Sequence, residues 1–206
     1  MQDELKAHWE KVYRDKSPLD VSWYQSAPTL SYELIRASGI DYNAPLIDVG
    51  GGASTLVDHL LDAGFTDVSV LDISMQALAH AAQRLGERAR RVHWNETDIT
   101  RFVPETVYRL WHDRAVFHFL TEAEDRRRYR EALEHALAAD GQLIIGTFAP
   151  GGPERCSGLP IVQYDAARLQ HALGERFALI ETRAETHRTP GGKDQLFNFF
   201  RLAHRP

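Results

Sequence analysis

The chain has 206 residues, 43% of them apolar and 26% charged, with a formal net charge of −5 and one cysteine, Cys156. A single unit of this length, 1–206, buries roughly 70% of the surface it exposes unfolded, so it needs no disulfide staples. An acidic balance with no basic block longer than Arg126-Arg127-Arg128 argues against extended nucleic-acid contact, which depends on neutralising many phosphates.

The opening Met1-Gln2-Asp3-Glu4-Leu5 has neither a basic patch before an apolar run nor a long apolar stretch. No secretory signal and no membrane association are expected, and with a lone cysteine the expected location is cytoplasmic. From Glu4 to Lys16, Leu5, His8-Trp9 and Val12-Tyr13 recur at helical intervals and predict an amphipathic helix. A loop dense in aromatics follows, Ser22-Trp23-Tyr24-Gln25, and then a second helix from Pro28 that Tyr42-Asn43-Ala44-Pro45 ends. Residues 1–45 thus form a helical segment ahead of a core at 46–206.

From Leu46 the alternation is regular. Strands are predicted at Leu46 to Val49, Val68 to Asp72, around Val92 to Trp94, Val107 to Trp111 and Gln142 to Phe148. Helices are predicted at Ser54 to Ala63, Met75 to Arg88 capped by Ser74, and Glu122 to Ala139 ended by Gly141. Such alternation implies an α/β fold, a parallel sheet with helices on both faces. Phe177 to Thr186 and Gln195 to Ala203 also look like strands, and the turn Thr189-Pro190-Gly191-Gly192-Lys193 between them has no room for a crossover helix, so the pair is antiparallel.

The most informative stretch is Leu46-Ile47-Asp48-Val49-Gly50-Gly51-Gly52 with Asp72 at the end of the next strand. Glycines let backbone approach a ligand, and a strand-end carboxylate accepts from both hydroxyls of a ribose, so this arrangement suits a nucleoside. A dinucleotide fingerprint starting at Gly50 needs glycine at position 55, where Thr55 stands, and this with the terminal hairpin disfavours a nicotinamide oxidoreductase.

Asp48-x-Gly50-x-Gly52, with Ser54 where a third glycine belongs, resembles motif I of the class I S-adenosylmethionine-dependent methyltransferases. The resemblance implies a Rossmann-like three-layer sandwich whose mostly parallel seven-stranded sheet closes with one reversed hairpin strand. It implies S-adenosyl-L-methionine as cofactor and S-adenosyl-L-homocysteine as product. Asp48, Gly50 and Gly52 would surround the methionine part, Asp72 the ribose, Ile73 one adenine face, with Asp98 and the Ile99 amide on the adenine edge. The segment Leu110 to Leu120 resembles the family's post-strand motif, in which His118 would be structural. Trp9-Glu10-x-x-Tyr13 and Ser22-Trp23-Tyr24-Gln25 are similar to a set of small bacterial and mitochondrial members that includes protein-lysine enzymes, and there the leading segment folds over the cofactor. Tyr13 and Trp23 are therefore expected beside it.

On the acceptor side, His112, Asp113 and Arg114 sit at a strand's carboxyl end, where ligands lie in this architecture. Asp113 beside Arg114 is either an internal ion pair or a substrate clamp. Asp113, His112 and His187 are the candidate bases for a hydroxyl or thiol acceptor, and His112 is also a candidate cofactor contact. Residues 149–165, turn-rich and containing Cys156, form the expected substrate loop. No two of His112, His118, Cys156 and His187 share ligand spacing, so no metal site is expected. The expected activity is methyl transfer to a nitrogen, oxygen or sulfur of a small molecule. A protein lysine is the alternative acceptor, and a non-catalytic nucleoside-binding scaffold is the alternative of a different class.

Overall fold

A computed structural model describes residues 2–205. It contains a seven-stranded sheet built from β1 (Leu46–Val49), β2 (Val68–Asp72), β3 (Val92–Glu96), β4 (Tyr108–Arg114), β5 (Leu137–Phe148), β8 (Phe177–Arg188) and β9 (Asp194–His204), in the order β3-β2-β1-β4-β5-β9-β8. β6 (Arg155–Cys156) and β7 (Leu159–Pro160) form a separate small antiparallel ladder. β9 is antiparallel to both β5 and β8, and the other pairings are parallel. The expected Rossmann-like sheet with one reversed strand is therefore present. Among the described residues no helix is long and apolar enough to cross a membrane.

Helices α1 (Gln2–Asp15), α2 (Thr29–Ala37), α3 (Leu56–Asp62), α4 (Met75–Leu85), α5 (Ala123–Ala136) and α6 (Ala166–Leu173) connect or precede the strands. Period-two alternation divides the sheet's residues between two apolar cores. Leu46, Leu110 and Ile144 face Leu34, Leu56 and Leu60. Ile47, Val49, Trp111, Leu143 and Ile145 face Tyr129 and Leu133 on the other side. Because strand order reverses between β1 and β4, the connections leaving those strands depart to opposite sides and open a crevice at their carboxyl ends.

The ends of α4 and α5 each fall three residues short of expectation. α4 stops at Leu85 rather than Arg88, because Gly86 turns to φ +59 and a 3₁₀ turn, Gly86–Arg91, follows. α5 stops at Ala136 rather than Ala139: Leu137 becomes extended, is buried, and pairs with Tyr108 before a bulge restores register at Leu110 and Gln142. Gly141 is thus inside β5 and does not end the helix. It serves the bulge instead, since a Cβ there would lie 2.8 Å from the Leu137 side chain.

Candidate functional site

The crevice holds two cavities that meet at Tyr13, Trp23, Gly50 and Arg114. The larger, of about 150 Å³, is lined by Asp72, Ile73, Asp98 and Ile99, with Thr97, Val116 and Leu120 closing its walls. The smaller, of about 40 Å³, is lined by Asp48, Gly51, Ser54 and His112 under Tyr24 and Gln25.

The glycine turn is built by close approach. Gly50 has φ +70, and a Cβ on it would meet Val116 Cγ2 at 2.0 Å. A Cβ on Gly51 would meet Asp48 Oδ2 at 2.3 Å, and one on Gly52 would meet Asp72 Oδ2 at 2.4 Å. The turn therefore lies directly against both carboxylates. Gly52 donates its amide to Asp72 Oδ2 at 3.0 Å, and Ser74 donates to Oδ1 at 2.9 Å. Burial, reinforced by Asp48 and Glu10, pushes the Asp72 carboxyl up to about 7 despite these two amides.

Asp48 is 2% exposed, and its Oδ1 lies 2.7 Å from Nδ1 of His112. Its Oδ2 is buried with no hydrogen-bond partner. A buried, unpartnered carboxylate oxygen at a cavity wall is a ready acceptor for an ammonium or hydroxyl of a ligand. Asp98 caps the short 3₁₀ turn Ile99–Arg101 by accepting from Thr100 N at 2.9 Å, so the capping role and the cavity-wall position coexist.

The leading segment covers the larger cavity. Trp9, Tyr13 and Trp23 pack edge to face or tilted, Trp9 also meets Phe119 at 5.3 Å, and Trp23 Nε1 donates to the Tyr13 hydroxyl at 3.3 Å. Glu10 anchors α1 by accepting from the amides of Met75 and Gln76 at the start of α4, and His80 Nε2 donates to the Tyr13 carbonyl at 2.9 Å.

Each of the three expected bases has hydrogen-bond partners within the fold. Asp113 is fully buried on the face of β4 away from both cavities. It accepts from the amides of Val116 and Phe117 and from the Tyr129 hydroxyl at 2.7 Å. It makes no ion pair with Arg114; burial pushes its carboxyl up to about 6. His187 lines neither cavity. Its Nε2 donates to the Ser22 carbonyl at 2.8 Å, tying β8 to the aromatic loop, and burial lowers its pKa. His112 lines the smaller cavity, but both its nitrogens are engaged, Nδ1 by Asp48 and Nε2 by Ser31 Oγ at 2.9 Å. It orients Asp48 rather than offering a lone pair.

Period two along β4 carries the signal for this split, because it puts His112 and Arg114 on the Asp48 side and Asp113 on the Tyr129 side. Sequence reasoning left Gly51, Thr97 and Val116 out of the site, and it did not single out Arg114 from Asp113. His118 is 0% exposed and held near 3 by burial and Arg114, a packed residue against Phe119 and Phe148. Cys156 borders the larger cavity, and burial pushes its thiol up to about 11.

Residues 47–143 match the family model described as "Methyltransferase domain". The chain is 23% identical over 190 residues to the Bos taurus "eEF1A lysine and N-terminal methyltransferase", covering 92% of this chain but 26% of that protein. It spans about a quarter of the length of that relative. In fold it is similar to N-methyltransferase NodS from Bradyrhizobium japonicum in complex with S-adenosyl-L-homocysteine (TM-score 0.73, 17% identity, 96% of this chain and 98% of that one). It is also similar to Burkholderia thailandensis 1,6-didemethyltoxoflavin-N1-methyltransferase (TM-score 0.72, 18% identity, 98% of this chain and 88% of that one). A methyltransferase-domain match running from β1 into β5, with the glycine turn, paired acids and reversed terminal strand all in place, supports a class I S-adenosylmethionine-dependent methyltransferase.

Proposed function

We propose that this chain transfers a methyl group from S-adenosyl-L-methionine to a small-molecule nitrogen, oxygen or sulfur. The observation that carries the cofactor assignment is the pair of buried acids pressed against one glycine turn, Asp48 with an unpartnered Oδ2 and Asp72 held by two amides. In this reading Asp72 would accept from the ribose, Ile73 would pack on one adenine face, Asp98 and the Ile99 amide would meet the adenine edge, and Asp48 Oδ2 would take the amino group of the methionine part. Gly50, Gly51 and Gly52 leave room for it. When bound, the cofactor supplies a sulfonium-activated methyl whose leaving group is a neutral thioether.

The chain's own contribution is then alignment and exclusion of water. Trp9, Tyr13 and Trp23 close the leading segment, residues 2–45, over the crevice as a lid. Aromatic faces also favour a cation beside them. The residues expected as bases are committed to hydrogen bonds within the fold, so an acceptor that is already a free amine, or already ionised, fits the site best. A small acceptor is favoured because Trp9, Tyr13 and Trp23 of the leading segment and Cys156 of the 149–165 loop wall the larger cavity, and a cytoplasmic setting fits the buried thiol of Cys156. The similarity to the bovine lysine methyltransferase supports a protein lysine as the second reading.

Titration calorimetry with S-adenosylhomocysteine and, separately, NADH tests the cofactor. Binding of the first alone is expected, and binding of NADH alone would overturn the assignment. Radiolabelled methyl transfer to a panel of small amines and phenols, run beside whole-proteome labelling, then separates the two acceptor classes.

A further inference from the structure

Resting on the methyltransferase reading, we propose that the acceptor carries a carboxylate, received by Arg114 where the two cavities meet. Arg114 ends β4 and lines both cavities. Its Nη1 donates to the Trp23 carbonyl at 3.0 Å, and its guanidinium lies 4.8 Å from the centre of the Phe197 ring. Nε and Nη2 are buried and have no hydrogen-bond partner. A guanidinium carries five donors in a rigid fork, and leaving such a group buried and unpaired is costly.

Among the described residues no acid forms an ion pair with it. The acids whose charge reaches it are Glu185 and Asp48. Gln25 holds Glu185 at 3.2 Å and His112 holds Asp48 at 2.7 Å, and neither acid forms an ion pair with Arg114 among the described residues. The other neighbours, His118, His187 and Cys156, supply no anion at neutral pH, being two buried imidazoles and a thiol raised to about 11. The border of the cavities is therefore a fixed positive charge walled by Trp9, Trp23 and Phe119, with donors spare. That combination selects a planar oxyanion on an apolar body, and the fork favours a carboxylate. In the proposed reading Asp48, with Gly51 and Ser54 beside it in the smaller cavity, would hold the cofactor's amino-acid end, and Arg114, at the border of the two cavities, would be left to the acceptor.

The test uses protein saturated with S-adenosylhomocysteine and follows the melting temperature against acetate and benzoate, with acetamide and benzamide as neutral controls at matched ionic strength. The carboxylates, not the amides, are expected to give a saturable rise in wild type. That rise should vanish in Arg114→Gln while the S-adenosylhomocysteine Kd stays within about threefold. If Arg114→Gln does not fold, Arg114→Lys replaces it, and weaker carboxylate binding with unchanged S-adenosylhomocysteine affinity is expected because lysine lacks the fork. Equal behaviour of carboxylates and amides overturns the proposal. So does a loss of about tenfold or more in S-adenosylhomocysteine affinity in the variant, which would give the guanidinium to the cofactor's own carboxylate. Failure of wild type to bind S-adenosylhomocysteine would be a failure of the methyltransferase reading instead.

Discussion

Nδ1 of His112 lies 2.7 Å from Oδ1 of Asp48, and this contact joins neighbouring strands, since Asp48 of β1 is directly opposite His112 of β4. The same ring reaches Ser31 of α2 with its other nitrogen. One imidazole thus holds the acid of the glycine turn in a single rotamer and pins the helix that follows the aromatic loop. The unpartnered Oδ2 of Asp48 is left aimed by that bond.

Removing the ring should be expensive for the fold. His112→Ala leaves Asp48 Oδ1 and Ser31 Oγ buried without their partner, a loss of about 3 kcal/mol, whereas Ser31→Ala removes one neutral bond and should lose about 1 kcal/mol. Urea unfolding curves give both values. Similar small losses in the two variants would mean that His112 is not the link between β1 and α2.

Asp72 predicts how affinity depends on pH. Its carboxyl, raised to about 7 by burial, must be ionised to accept from two hydroxyls. Affinity for S-adenosylhomocysteine should fall about tenfold as pH drops from about 8 to about 6, and Asp72→Asn should bind weakly with a flat profile. The sign for unliganded stability is opposite. A carboxyl raised in the fold favours folding below its unfolded value near 4, and that contribution is lost as pH rises through about 7. Calorimetry across this range checks the first statement and thermal melts of the ligand-free protein check the second. An affinity that does not change with pH would remove Asp72 from the ribose role.

The strand–helix alternation, the antiparallel terminal pair and the cavity wall at Asp72, Ile73, Asp98 and Ile99 were legible in the sequence because each follows from a local pattern: apolar runs, a tight turn, a glycine turn, a carboxylate at a strand end. What failed was any inference that required knowing which way a side chain points at a strand's end. Asp113 and Arg114 are adjacent, both charged and both at the carboxyl end of β4, yet the pleat sends one under Tyr129 and the other into the crevice. The end of α5 was missed for a related reason. Ala138 and Ala139 favour a helix, but pairing of buried Leu137 with Tyr108 outweighed that local preference.

Glu10 predicts the lid's rate. Its carboxylate accepts from Met75 N at 2.7 Å, capping α4 from a different helix, and the latch is solvent-exposed. Glu10→Ala should change global stability little while weakening the hold of α1 on the crevice by about 1 kcal/mol, so that S-adenosylhomocysteine leaves about fivefold faster. Stopped-flow displacement measures that rate. An unchanged off-rate would show that the ligand escapes without movement of α1.

Asp113 separates a structural acid from a catalytic one. It receives two amides from the turn after β4 and the Tyr129 hydroxyl, which itself accepts from Trp111 Nε1 at 2.9 Å. Asp113→Asn can still accept from the amides, but its NH₂ and the Trp111 indole would then both donate to Tyr129, whose own proton loses its acceptor. The expected loss is about 1–3 kcal/mol of stability, and Tyr129→Phe should lose a similar amount, with the double variant losing less than the sum because the two share one network. Once conditions keep the variant folded, its kcat should be close to that of wild type. A general base replaced by an amide would instead lower kcat by about a hundredfold or more at unchanged stability. Chemical denaturation of the three variants together with turnover of Asp113→Asn on an established acceptor distinguishes the two roles.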